Sequence, residues 1–170
     1  DGFQAGVYGY SQILVASMGG KDQATLLDSP GDDVLTANFR DVVLTSGSNS
    51  VRVRGYGDVT VEASRGGQDV AHLYDTAGDD LFVGNPTEGT MTSLGFAIRV
   101  KMFDYVHAYS LAGGHDAAQL TGSTGDDELV GRPEWVRLSG SGYLLRAKGF
   151  EEVHVDPLTG NDTAVLYDSP

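Results

Sequence analysis

Cysteine is absent from this chain of 170 residues, so neither disulfides nor thiol chemistry can contribute to its stability or function. Positive charge is scarce, because 11 Lys and Arg residues stand against 24 Asp and Glu residues. The resulting net charge of −13 argues against nucleic acid as a partner. No apolar run approaches the ~20 residues that a membrane span needs, and no signal peptide is visible.

Glycine and aspartate are the residues that the chain has in excess. Glycine occurs 24 times and proline only 5 times, and aspartate supplies 18 of the 24 acidic residues. Both residue types favour tight turns, and aspartate also binds hard cations. The composition therefore indicates many short segments joined by acidic turns.

A repeat of about 47 residues organises the chain. Each copy opens with a glycine-rich step and an aspartate, continues into a short apolar strand, and then reaches a second turn of the type Gly-Asp-Asp. Spacings of 47, 47 and 46 residues separate the leading aspartates Asp22, Asp69, Asp116 and Asp162. A fixed period of this size is typical of repeat architectures. We expect one continuous array, cut from a longer or processed protein, with units at 20–66, 67–113 and 114–159 and partial units at 1–19 and 160–170.

Polar–apolar alternation with the period of a β-strand runs through every unit, and no segment shows a helical period. Ala71 alternates with Leu73, for example, and Val106 alternates with Ala108 around His107, which should point outward. We predict an all-β repeat solenoid, a right-handed parallel β-helix with about two coils per unit. The alternative is a β-propeller of antiparallel blades, because 47 residues also fit one four-stranded blade.

The acidic turns carry a resemblance. Gly78-Asp79-Asp80-Leu81 and the turn at 125–129 resemble half of the haemolysin-type (RTX) calcium-binding repeat. The whole unit is similar to the Asp-rich tandem repeats of large bacterial cell-surface proteins. This resemblance implies an extracellular location at the bacterial surface and calcium as a cofactor.

Calcium takes 6–8 oxygen ligands, which closely spaced carboxylates and backbone carbonyls can supply. The candidate metal ligands are Asp28, Asp32, Asp33, Asp75, Asp79, Asp80, Asp126 and Asp127. Gly122 replaces the first aspartate of the third turn, so a site there should be weaker. The alternative is that these aspartates only cap backbone amides in turns, as we expect of the leading aspartates at the strand entries.

A second candidate site is a basic strand position that recurs every 47 residues. Its members, six of the 11 cationic residues, are Arg52, Arg54, Arg99, Lys101, Arg146 and Lys148. If the units stack in register, these side chains form a continuous stripe. The stripe could bind acidic polysaccharide or the acidic edge of another copy, or it could merely be a solvated face that discourages edge pairing.

Catalytic residues are not apparent. The chain has no nucleophile elbow, no zinc spacing and no phosphate-binding loop, and its acidic groups are repeated rather than unique. The four histidines look like surface residues, and Trp135 is either a loop anchor or a sugar-stacking platform. We predict a non-catalytic structural or adhesive repeat protein that assembles with its own copies or with other cell-surface components. The alternatives are a calcium-dependent polysaccharide-binding module and a fragment of a β-helix polysaccharide lyase.

Overall fold

The computed structural model describes residues 10–19 and 22–168, so part of the first glycine step, Gly20-Lys21, and the extreme ends of the two partial units lie outside the described residues. Within these ranges the regular structure consists of 17 β-strands. The strands are β1 Gln12–Ala16, β2 Gln23–Leu27, β3 Asp33–Ala37, β4 Asp41–Ser46, β5 Asn49–Arg54, β6 Asp58–Glu62, β7 Val70–Tyr74, β8 Leu81–Asn85, β9 Glu88–Ser93, β10 Phe96–Lys101, β11 Tyr105–Tyr109, β12 Ala117–Thr121, β13 Glu128–Arg132, β14 Trp135–Gly140, β15 Tyr143–Lys148, β16 Glu152–Asp156 and β17 Thr163–Leu166.

Each complete unit contains a single strand, an antiparallel meander of three strands, and another single strand. In the second unit these are β7, then β8–β10, then β11. The last hairpin of each meander turns through two residues that include a glycine with positive φ, such as Gly95 at 77°. Such turns match the natural twist of paired strands.

The strands form two sheets, which we call sheet A and sheet B. Sheet A has ten strands in the order β1-β5-β4-β3-β7-β11-β15-β14-β13-β17, and sheet B has seven in the order β16-β12-β8-β9-β10-β6-β2. Successive coils pair in parallel, as β3 does with β7 and β7 with β11. The meanders add antiparallel pairs within a coil.

The chain forms a β-solenoid, which confirms the all-β solenoid prediction, and the propeller alternative is not observed. A unit visits the sheets three times, with β7 in sheet A, β8–β10 in sheet B and β11 in sheet A. Since a full turn makes two visits, a unit spans one and a half turns, rather less than the two coils predicted. Consecutive units therefore begin on opposite sheets.

The core lies between the two sheets and consists of the inward members of each alternating strand. Leu73, Phe82, Ile98 and Leu145 are fully or almost fully buried there. The predicted alternation is confirmed, because Ala71, Leu73, Val106 and Ala108 are buried while His107 is partly exposed. Stacking of equivalent apolar residues between coils is the main stabilising contact of such folds.

Candidate metal centre

Two kinds of corner connect the sheets, and they stack on each other. The acidic corners are residues 28–33, 75–80 and 122–127, and the glycine corners are residues 63–69, 110–116 and 157–162. Each acidic corner lies against the glycine corner of the next coil, 35–37 residues later in the chain. The two motifs that recur in the sequence therefore pack against each other, with one coil stacked on the next.

The leading aspartates cap strand entries, as predicted, but the strand belongs to the preceding coil. The backbone N–H of Asp33 donates to Oδ1 of Asp69 over 2.9 Å. The same bond joins Asp80 to Asp116 over 2.7 Å, and Asp127 to Asp162 over 3.0 Å. Hydrogen bonds to a charged carboxylate contribute about 1.5–3 kcal/mol each, so these bonds hold successive coils together.

The middle aspartate of each acidic corner is exposed and also bonds the next coil. Asp32, Asp79 and Asp126 accept the backbone N–H groups of Gln68, His115 and Asn161 over 2.8–2.9 Å. This is the amide-capping role that we considered as the alternative to metal binding. None of these three belongs to a group of potential metal ligands among the described residues.

Three other aspartates do form such a group. One carboxylate oxygen from each of Asp75, Asp80 and Asp116 lies within 4.8 Å of the other two, and all three residues are buried. Asp75 and Asp80 come from the second acidic corner, and Asp116 comes from the glycine corner stacked on it. Sequence reasoning assigned Asp75 and Asp80 to a metal site but treated Asp116 only as a cap.

Hydrogen bonds satisfy only part of this cluster. Oδ2 of Asp75 accepts the N–H groups of Leu111 and Ala112 over 2.7 and 2.6 Å. Oδ2 of Asp80 accepts the N–H and the hydroxyl of Thr76 over 2.8 and 2.9 Å. Oδ1 of Asp80, however, is buried and has no hydrogen-bond partner. A buried carboxylate oxygen without a partner is costly, and it indicates an ion or water at that place.

Burial raises the pKa of Asp75 above its ordinary value, and the carboxylates of Asp116 and Asp80 raise it further. The N–H groups of Ala112 and Leu111 act in the opposite direction. The cluster is thus short of positive charge.

The equivalent cluster of the first acidic corner has a hydroxyl and a guanidinium beside it, although Oδ1 of Asp28 has no hydrogen-bond partner. The hydroxyl of Ser46 donates to Oδ1 of Asp33, and the guanidinium Nε of Arg65 lies 3.9 Å from Oδ1 of Asp28. In the second corner the residue equivalent to Arg65 is Ala112, and the equivalent of Ser46 is Ser93, which bonds Thr76 instead of the aspartate. These two donors of the first corner are therefore missing from the second, where the hydroxyl of Ser110 donates instead to Oδ2 of Asp116 over 2.6 Å.

The third acidic corner is completed internally. Gly122 removes one carboxylate, and the hydroxyl of Tyr143 donates to Oδ1 of Asp127 over 2.7 Å. Burial and this hydrogen bond raise the pKa of Tyr143, so the phenol stays a donor. A Cβ on Gly122 would collide with Oδ2 of Asp127 and with the backbone of Pro157, so glycine is also sterically required. Among the described residues, only the second corner groups three carboxylates closely enough to hold a metal ion.

The second acidic corner therefore has the chemistry of a site for a hard divalent cation. Oxygen ligands alone suit calcium or magnesium, and backbone carbonyls and waters can complete the coordination shell. Of the eight predicted metal ligands, the structure brings together Asp75 and Asp80 and adds Asp116. The signal that could have found Asp116 is the pairing of corners 36 residues apart, which requires the coil count.

The predicted continuous basic stripe is wrong. Arg52 and Arg54 lie on β5 and Arg146 and Lys148 on β15, both in sheet A but five strands apart, whereas Arg99 and Lys101 lie on β10 in sheet B. The physical reason is the half-integral number of turns per unit, which carries alternate copies to the opposite side. Moreover, the arginines of the first two copies are neutralised locally.

The neutralising contacts are ion pairs within the meanders. Asp41 pairs with Arg54 and lies 3.7 Å from Arg52, and Glu88 lies 2.8 Å from Arg99. The guanidinium of Arg54 lowers the pKa of Asp41.

Comparisons with protein-family models, with curated proteins and with solved structures give no match. In the part of the chain that the structure describes, no helix has the length and hydrophobicity needed to cross a membrane.

Proposed function

We propose that the chain is a non-catalytic structural module of an extracellular repeat protein, and that it binds calcium at Asp75, Asp80 and Asp116. The observation that carries this proposal is the buried group of three carboxylates with an unpartnered Oδ1 on Asp80. Calcium fits better than zinc or copper because every side chain of the group offers oxygen rather than nitrogen or sulfur.

The cation would act as a cross-link between coils. Asp75 and Asp80 precede β8, whereas Asp116 precedes β12, the next strand of sheet B. A bound cation would offset the repulsion among three buried carboxylates and tie these two coils to each other. The contribution is to stability and stiffness, which is what a structural module of a repeat protein requires.

Thermal unfolding with calcium and with EDTA tests the proposal. A ligand that binds only the folded chain at 100 times its Kd adds about 2.7 kcal/mol. For a chain of this size the melting temperature should then rise by about 5–11 °C. Calcium should slow amide hydrogen exchange at residues 75–81 and 110–117, and it should not do so at the equivalent residues 28–34 and 63–70.

Two variants make the test specific. Asp80→Asn should lose the calcium response, yet in EDTA it should be no less stable than the parent, because one of three crowded charges is gone. Ala112→Arg supplies the guanidinium that Arg65 provides in the first corner, so it should raise the melting temperature in EDTA and abolish the response. A parent chain that calcium leaves unchanged, or a response that survives Asp80→Asn, would contradict the proposal.

The location at a bacterial cell surface and assembly with other copies belong to the same proposal. They are supported by the resemblance of the acidic turns to calcium-binding repeats and by a solenoid geometry in which each coil pairs with the next. Extracellular calcium modules work with Kd values of about 10⁻⁴–10⁻³ M, within reach of a site with few protein ligands.

A further inference from the structure

The outer face of sheet A carries a row of aromatic and cationic side chains that the metal proposal does not use. From β7 to β13 the cross-strand register places Tyr74 beside Tyr109, Tyr109 beside Lys148, Lys148 beside Trp135, and Trp135 beside Arg132. Arg132 then contacts the ring of Tyr167, just beyond β17. We call these residues the aromatic–cationic row: Tyr74, Tyr109, Lys148, Trp135, Arg132 and Tyr167.

The members of this row are packed against one another. The rings of Tyr74 and Tyr109 stack with centroids 4.8 Å apart and planes 12° from parallel. The guanidinium carbon of Arg132 lies 4.1 Å from the ring centre of Tyr167 and 5.7 Å from that of Trp135. The row is therefore held in place on rigid strands, and it spans six strands, or about 24 Å.

A second row next to it contains two more arginines, Arg137 and Arg146. Arg146 lies directly opposite Arg137, and it also lies over the ring of Trp135 at 5.6 Å. Like charges in directly opposite positions of a sheet destabilise it. The Nε atoms of both arginines are buried without a hydrogen-bond partner. Glu128 pairs with Arg137, but no carboxylate of the described residues forms an ion pair with Arg132, Arg146 or Lys148.

This concentration of unpaired positive charge is unusual in a chain with a net charge of −13. Arg52 and Arg54 on the same sheet, and Arg99 on the other, all have carboxylates within 4.0 Å. The face between β7 and β17 thus combines the rings of Tyr74, Tyr109, Trp135 and Tyr167 with three cations that form no ion pair among the described residues.

We propose that the aromatic–cationic row and Arg146 bind an extended anionic polysaccharide of the uronate type. Partly exposed aromatic rings offer flat apolar surfaces for the C–H faces of sugar rings, and the guanidinium groups match planar carboxylates. The length of the row, about 24 Å, fits an extended chain better than a compact ligand. Single-stranded nucleic acid uses similar groups, so the test below compares single-stranded DNA with polygalacturonate.

The proposal is independent of the metal site, and its test runs in EDTA. Polygalacturonate should bind to the parent chain in calorimetry, with affinity that falls as salt increases, whereas its fully methyl-esterified form should bind at least tenfold more weakly. The double variant Arg146→Gln/Lys148→Gln should lose about tenfold in affinity, and Trp135→Leu should lose a similar factor, with the melting temperatures checked against the parent.

The repeat supplies the matched control. Arg99→Gln/Lys101→Gln changes the equivalent positions on sheet B and should leave the affinity unchanged. The proposal is overturned if both double variants lose affinity equally, if the methyl ester binds as tightly as the acid, if the parent binds no polyuronate, or if single-stranded DNA binds more tightly than polygalacturonate.

Discussion

The second glycine of the pairs at 66–67 and 113–114 shows how a single residue sets the spacing between coils. Gly67 and Gly114 have φ values of 120° and 118°, a region that other residues rarely adopt. A Cβ on either residue would also lie well inside 3.0 Å of the carbonyl oxygen of the acidic corner below, on Gly31 or Gly78. Glycine is required there because two backbones touch.

Replacement of this glycine should therefore cost more than replacement of its neighbour. Gly113 also has positive φ, 94°, but has open space around its Cα. We expect Gly113→Ala to cost about 1 kcal/mol from backbone strain, and Gly114→Ala to cost about 3 kcal/mol or more, because the coils must also move apart. Chemical denaturation of the two variants measures both values. Equal losses of stability would show that the contact between the coils does not contribute to the free energy of unfolding.

The aspartates show the limit of residue-level prediction. Asp75, Asp80 and Asp116 can be recognised from the sequence as turn and strand-entry residues, because they occur next to glycines at a fixed period. Their burial and mutual proximity cannot be recognised, because the two corners that meet are 36 residues apart and belong to different coils.

The pKa of His107 on strand β11 depends on side chains of the two neighbouring strands, β7 and β15. His107 stacks on His72 of β7 with centroids 5.3 Å apart, and Arg146 lies beside it on β15. Burial lowers the pKa of His107 to about 4, and the charges of His72 and Arg146 contribute. Burial also lowers the pKa of His72.

Because the folded-state pKa of His107 lies below the value of 6.5 for a free histidine, this residue favours the folded state fully above pH 6.5. That contribution falls as the pH is lowered through the window between 6.5 and 4. We expect a loss of about 1 kcal/mol for this half-buried ring, since solvent weakens the effect.

The measurement compares the parent with His107→Gln at pH 7 and pH 4.5, by urea denaturation in EDTA. Tyr109, His72 and Arg146 also lie against the ring and stay constant in both chains. The variant should lose less stability than the parent on acidification. Identical losses would show that His107 is not responsible.

At the scale of the whole molecule, the number of turns per unit decides which residues share a surface. Three sheet visits per unit send every second copy of a motif to the opposite side. Identical aspartates are thereby placed at opposite edges, which reduces repulsion between copies. The same geometry places two of the three basic strand positions in sheet A. The cations without an ion pair lie on β15 and β13, in the half of sheet A that ends at β17.

Among the described residues, the stack has strands with only one pairing neighbour at its ends, including β2 and β16 of sheet B. Such strands can pair with another chain, and a repeated head-to-tail contact of this kind gives a filament. We expect end-to-end particles in electron microscopy of the purified chain at millimolar calcium. Monodisperse single modules, with and without calcium, would contradict assembly through these edges.

The sequence by itself determined the all-β solenoid, the 47-residue period, the inward and outward sides of the strands and the residues of the turns. These features follow from local alternation and from glycine and aspartate chemistry, which neighbouring residues fix. Only the tertiary structure decided that a unit spans one and a half turns, that Asp116 joins Asp75 and Asp80, and that Arg99 lies on the side opposite Arg146. Such relations depend on how many times the chain crosses between sheets before a motif returns, and a short segment of sequence contains no record of that number.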